Sequence, residues 1–179
     1  AWLANQASNY LVSAKVPKRL GTAHPNIVPY QAMPVRDGHI MLAVGNDKQF
    51  NKCCEVLGCA ELASKPEFLS NAQRVKNREK LLSILNGYFL TNDMEYWLEN
   101  LSSKHVPCGP INNMERVFKD EQLKHREMQL TMKHELVGEI PMVANPIKFS
   151  KTPISYTTPP PSIGENTQEV LSKFMRPKT

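Results

Sequence analysis

Apolar residues recur along this chain with two different periods, and the switches between them mark the expected elements. Over residues 1–14, Leu3, Ala7, Tyr10, Leu11 and Ala14 fall at helical spacing, and Pro17 stops the pattern. "RLGTAHPNIVPYQAM" then holds a glycine and two prolines, which predicts an ordered loop with extended pieces. In "MPVRDGHIMLAVG" the period becomes two. Ile40, Leu42 and Val44 alternate beyond Asp37-Gly38, a pair suited to a hairpin turn. A helix follows through Leu57, capped by Asn46 or Asp47, with Phe50, Cys53, Cys54 and Leu57 on one face and Gly58 as its stop.

Pro66 is expected to open a short helical turn around Phe68-Leu69. From about Asn71 the pattern predicts one long helix with Leu81, Leu82, Leu85 and Phe89 as its apolar face. Thr91 or Asn92 should cap the next, striped by Met94, Trp97, Leu98 and Leu101. "VPCGPI" comes next. Pro107 and Pro110 each fix a φ angle and Gly109 permits close approach, so a stiff turn is expected before a helix that Asn113 caps from Met114 to Lys119. Residues 126–149 alternate enough for two strands, "MQLTMKHEL" and "IPMVANPIKF", joined at Gly138. Pro141 and Pro146 put part of the second at an edge or a bulge. "SKTPISYTTPPPSIGEN" reads as an extended tether, and a last helix runs from Glu165 or Thr167 to Met175. There is no internal repeat.

Composition narrows the class. A chain of 179 residues, 41% hydrophobic and 22% charged, is long enough for one sizeable core and ordinary for a globular protein. No apolar run approaches the roughly 18 residues of a membrane span. The opening "AWLANQASNYLVSAK" has no basic region ahead of an apolar run, lacks an initiator Met and begins in mid-pattern. It reads as a piece of something longer. The net charge of +5, from 22 basic and 17 acidic residues, favours anionic partners only weakly, because the basic residues are scattered. The densest cluster, Lys15 to Arg19, has no interleaved aromatics and reads as a solvated loop, so no nucleic-acid partner is expected.

The chemistry visible in the residues is thin. Cys53, Cys54, Cys59 and Cys108 make no disulfide framework, which favours a reducing intracellular compartment. Cys53 and Cys54 diverge by about 100° on a helix, and no Cys/His spacing completes a metal set, so packing is the expected role. Cys108 has His105 three residues away, but nothing in sequence holds that base for catalysis. The histidines His24, His39, His105, His125 and His134 are dispersed. Asp37 reads as a turn former, Asp47 as a cap, and Asp93 and Asp120 as helix-start acids. No phosphate loop, nucleophile elbow or dinucleotide fingerprint is present. These residues carry no self-contained active site.

Taken in order, "GTAHPNIVPYQAM", "DGHIMLAVGNDKQFNKCCEVLG", "FLSNAQRVKNREKLLSIL", "VPCGPI" with a helix ending in "KDEQ", "NPIKFSKTP" and "PPPSIGENTQEVL" resemble the C-terminal part of class III coenzyme A transferases of the CaiB/BaiF type. The match covers nearly the whole chain, and six motifs in fixed order make it specific. The resemblance implies an α/β protein. Residues 31–144 would form an α+β small domain, a small antiparallel sheet with surrounding helices. Residues 1–30 and 145–179 would pack on a Rossmann-like large domain.

The resemblance further implies transfer of coenzyme A from succinyl-CoA to a dicarboxylate such as glutarate or hydroxymethylglutarate, in mitochondria, by an interlocked homodimer. The nucleophile would be an aspartate upstream, forming an anhydride and then an aspartyl-CoA thioester, so no catalytic residue and no metal ligand is expected here. The CoA thioester would be a substrate and not a resident cofactor, and no membrane partner is implied. By the same resemblance, Gly21, His24, Pro25 and Asn26 would face the acyl pocket, with Cys108, Gly109 and Pro110 beside the cleft. Taken on its residues alone, that first loop is only a turn in which His24 caps a neighbouring carbonyl. The family usually has GEHT where this chain has Gly164-Glu165-Asn166-Thr167, and asparagine can still cap a helix there. Two other readings remain: an α-methylacyl-CoA racemase of the same fold, with a His/Asp pair upstream, and a non-enzymatic binding module. "HPNIVPY" favours the transferase.

Overall fold

The computed structural model describes residues 3–175, which divide after Ile111 into two compact units. In the first, the elements run α1 (Ala4–Ser13), β1 (Tyr30–Val35), β2 (Gly38–Ala43), α2 (Asp47–Val56), a 3-10 helix (Ala60–Ser64), α3 (Asn71–Lys76), α4 (Arg78–Phe89), α5 (Met94–Ser103) and β3 (Cys108–Pro110). The second holds α6 (Met114–Lys119), α7 (Glu121–His125), β4 (Gln129–His134), β5 (Gly138–Val143) and α8 (Thr167–Phe174). This is the expected mixed α/β architecture of small antiparallel sheets with surrounding helices.

The three-stranded sheet has the order β1-β2-β3, antiparallel throughout. Alternation sends Met33 and Val35 of β1 and Ile40 and Leu42 of β2 into the core, where Met33 stands opposite Ile40. α4 packs on β1, α5 packs on β2 and β3, and α2 packs against the 3-10 helix and α5. Phe50, Cys53, Leu81, Leu85, Phe89, Trp97 and Leu101 close this core. Trp97 meets Phe89 edge-on at 5.3 Å and donates its indole N–H to the Phe89 carbonyl at 2.7 Å, so the ring is buried with its polar atom satisfied.

Arg74 lies among these apolar groups with no exposed surface. Its Nε donates to the Val28 carbonyl (2.8 Å), Nη1 to the Phe68 carbonyl (3.0 Å) and Nη2 to Asp47 Oδ1 (2.8 Å), and the guanidinium stands 4.4 Å from the Phe50 ring centroid. Asp47 remains mostly solvated, so the ion pair is half in water. The two carbonyl bonds and the cost of breaking them dominate.

Several expected boundaries shift, each for a local reason. The long helix from Asn71 is two helices. Asn77 leaves helical geometry at φ −105°, ψ 27°, and its side chain bonds the Glu67 and Gln73 carbonyls, competing with the helix ladder. Thr91 finishes α4 by donating to the Tyr88 carbonyl, and Asp93, not Thr91 or Asn92, caps α5 through the Tyr96 N–H. Around Phe68 there is a turn and no helix, while the 3-10 helix ahead of it was not expected. The first hairpin turns through Arg36-Asp37, with Gly38 already paired to Val35. Arg36 then pairs with Asp93, and Asp37 Oδ1 accepts from the Met94 N–H, which fastens the hairpin tip to the start of α5.

"VPCGPI" is no free turn: Cys108–Pro110 is the edge strand β3. Pro107 O accepts from the Ala43 N–H and Ile111 N–H donates to His39 O, so residues 107, 109 and 111 face β2. Pro110 therefore falls on the open edge, where its missing N–H costs nothing.

In the second unit β4 and β5 form the expected hairpin, with Met132 opposite Ile140 and Gly138 closing the turn at φ +78°. Helix α7 was not expected. Asp120 caps it through the Gln122 and Leu123 N–H groups. Asn166 precedes α8 but makes no capping bond, because at φ −95°, ψ 7° it is not extended as Asn46, Asp93 and Asn113 are. Neither α1 nor α8 buries a residue. Leu11, Val12 and Phe174 are each over four-fifths exposed.

Helices α2 and α5 end alike. Gly58 (φ +72°) and His105 (φ +57°) take the left-handed position, and the next N–H returns to Cys54 O and Leu101 O respectively. Glycine suits that conformation and histidine does not. Gly58→Ala should lose about 1 kcal/mol of unfolding free energy, although no atom lies within 4 Å of the added Cβ. His105→Gly should gain about 0.5–1 kcal/mol, and urea unfolding that showed the reverse order would refute this account of the two helix ends. Arg74→Met should cost about 3–5 kcal/mol in the same assay, because the Val28 and Phe68 carbonyls lose their donor. A loss below about 1 kcal/mol would show those carbonyls satisfied elsewhere.

Candidate functional site

The loop from Gly21 to Val28 is short of regular structure yet bonded at most of its positions. Gly21, at φ +58°, turns the chain, and the Ala23 N–H closes the turn on Leu20 O at 3.0 Å. The loop then runs along the outer edge of β1: His24 N–H donates to Tyr30 O (2.9 Å), and Ala32 N–H donates to Thr22 Oγ1 (3.1 Å). Asn71, the first residue of α3, accepts from Val28 N–H and donates to Asn26 O. Arg78, the first residue of α4, donates through Nη2 to both His24 O (2.8 Å) and Pro25 O (2.9 Å). Asn26 and Asn9 of α1 exchange both amide bonds, at 3.1 and 2.9 Å.

The side chain of His24 is set by the same framework. Its ring stacks on Tyr30 with centroids 5.3 Å apart and planes at 19°. Nδ1 accepts the Asn26 N–H at 3.1 Å, so in the neutral ring Nδ1 carries no proton and Nε2–H is the donor. This corrects the expectation that His24 caps a carbonyl: the ring accepts, and its donor atom stays available. Chemically, the loop can offer one oriented imidazole N–H to an oxygen of a substrate. The Asn26 amide is largely committed to Asn9.

The other candidates lie elsewhere. Cys108, Gly109 and Pro110 form β3, on the far edge of the sheet from the loop. β1 and β2 stand between, roughly 14 Å at ordinary strand spacing. The structure brings Gly21, His24, Pro25 and Asn26 together and does not bring β3 to them. Cys108 is half-buried against the core, with Sγ 3.6 Å from Ser102 Oγ. Cys53, Cys54 and Cys59 are fully buried, as the packing role requires, and burial followed by repulsion from Cys59 and Cys108 pushes the Cys53 thiol up. Among the described residues no group of three His, Cys, Asp or Glu could hold a metal, and no helix is long and apolar enough to cross a membrane. A cavity of about 690 Å³ in the second unit, lined by Phe118, Leu123, Leu130 and Tyr156, includes none of the candidates.

Sequence reasoning missed Asn9, Asn71 and Arg78, the residues that hold the loop. One signal was present. Arg74 and Arg78 continue the buried stripe Leu81, Leu85, Phe89 backwards by seven residues each, and a charge on an apolar stripe asks for a buried partner.

Known proteins extend this picture. The family model described as CoA-transferase family III matches residues 1–167. The chain is 39% identical over 98% of its length to succinyl-CoA:glutarate CoA-transferase of Homo sapiens, covering 40% of that protein. It is 39% identical over 97% of its length to succinate–glutarate CoA-transferase of Agrobacterium fabrum, covering 44% of that protein. The crystal structure of a CaiB/BaiF family protein from Brucella suis superposes with a TM-score of 0.78 at 40% identity, over 96% of this chain and 44% of that one. The chain thus spans less than half the length of the relatives it matches, along nearly all of its own. With a match this long in sequence and in fold, the chain belongs to CoA-transferase family III.

Proposed function

We propose that this chain is the small-domain-bearing part of an enzyme that moves coenzyme A from succinyl-CoA to glutarate or a similar dicarboxylate such as hydroxymethylglutarate. The observation that carries the reading is the 39% identity over 98% of the chain to an enzyme named for that reaction. A second relative of the same identity is named for the same pair of acids. Coenzyme A thioesters are then substrates and not resident cofactors. The enzyme is proposed as a mitochondrial homodimer.

In this reading the nucleophile is an aspartate carboxylate outside these 179 residues. It attacks the succinyl thioester, giving an acyl-aspartyl anhydride and free CoA thiolate. The thiolate attacks the aspartyl carbonyl, releasing succinate and leaving an aspartyl-CoA thioester. Attack by the acceptor carboxylate and return of the thiolate complete the exchange, and each step keeps the thioester's energy. The loop Gly21 to Asn26 is assigned to the acyl end, where His24 Nε2–H donates to a carboxylate or thioester oxygen. The fixed tautomer supports that role, since an oriented donor needs no reorganisation. Residues 1–30 and 145–179 are assigned to a large domain and 31–144 to a small one. The exposed apolar faces of α1 and α8 support that assignment.

His24→Ala in the full-length enzyme should raise KM for the dicarboxylate or lower kcat by roughly ten- to a hundredfold. That matches the loss of one charge-assisted bond of about 1.5–3 kcal/mol. The melting temperature should hold, and a fall of several degrees with kinetics intact would make the histidine structural. Cys108→Ala should keep most of kcat, because its Sγ packs against the core 3.6 Å from Ser102 Oγ. A loss of roughly a thousandfold would instead place that thiol in the chemistry.

A further inference from the structure

Arg78 is placed where a cation is not favoured for its own sake. It is the first residue of α4, at the positive end of the helix dipole. Its Nη1 is buried without a hydrogen-bond partner among the described residues, and burial pulls the guanidinium below its ordinary pKa. Against these costs stand two bonds from Nη2, to His24 O and Pro25 O. The second has a consequence beyond the loop's backbone. Pro25 C=O and Asn26 N–H belong to one peptide group, and that N–H is the donor to His24 Nδ1. A charge on the carbonyl end of this planar unit orients its N–H and strengthens it as a donor.

We infer that Arg78 is a positioning residue for the transfer reaction. It acts through the Pro25–Asn26 peptide to hold the His24 ring and its Nε2–H toward the acyl end of the substrate. The inference rests on the reading of His24 given above. It predicts that Arg78 matters to turnover only while His24 is present.

The test is a double-mutant cycle in the full-length enzyme, with amide exchange as a readout that needs no turnover. Arg78→Ala should lower kcat/KM for glutarate about tenfold or more in the parent and less than about twofold in the His24→Ala background. The same factor in both backgrounds would overturn the proposal. Arg78→Ala should also speed exchange of the Asn26 amide about tenfold or more while the Ile40 and Leu42 amides are unchanged. An unchanged Asn26 amide would overturn the proposal whatever the kinetics. Should Arg78→Ala fail to fold, Arg78→Gln takes its place in both measurements. If the parent does not pass CoA from succinyl-CoA to glutarate, the functional reading fails, and the exchange result alone decides whether Arg78 holds the peptide.

Discussion

A guanidinium without solvent joins three parts of the chain that are far apart in sequence. Through Arg74 the entry to β1, the turn at Phe68 and the start of α2 share one hub. Removing a buried donor leaves carbonyls that can find no water, so the hub is worth more as a constraint than as an ion pair. Asp47, the anion it pairs with, is half in solvent. The Phe50 ring on one face completes the enclosure.

The candidate loop inherits its order from this hub. Val28 is bonded twice, its carbonyl by Arg74 and its N–H by Asn71, and both residues sit on α3. One helical turn later Arg78 reaches the carbonyls just upstream. The loop is therefore lashed to the starts of α3 and α4 at one side and to β1 at the other. A segment with neither helix nor strand becomes a rigid support for an imidazole because its backbone groups are paired with side chains.

Asn77 breaks the helix between the two arginines. Arg74, fully buried, reaches Val28 O at the loop's end, and Arg78 reaches His24 O and Pro25 O. Asn77 itself bonds Glu67 and Gln73, so the kink is stabilised by hydrogen bonds and not by a missing proline N–H.

The sequence by itself determined what depends on near neighbours. Alternation predicted the two hairpins, the apolar stripes predicted α1, α2, α5 and the buried face of α4, and Asn113 was readable as a cap because its bond spans three residues. Ordered family motifs were enough to indicate the family, since each is a contiguous run. What tertiary structure alone decided are the pairings across long separations. Val28 meets Arg74 across 46 residues and His24 meets Arg78 across 54. "VPCGPI" reads as a turn until β2 lies beside it, and His24 reads as a donor in either tautomer until the Asn26 N–H occupies Nδ1. A side chain's partner is set by where the backbone returns, and local pattern does not encode that return.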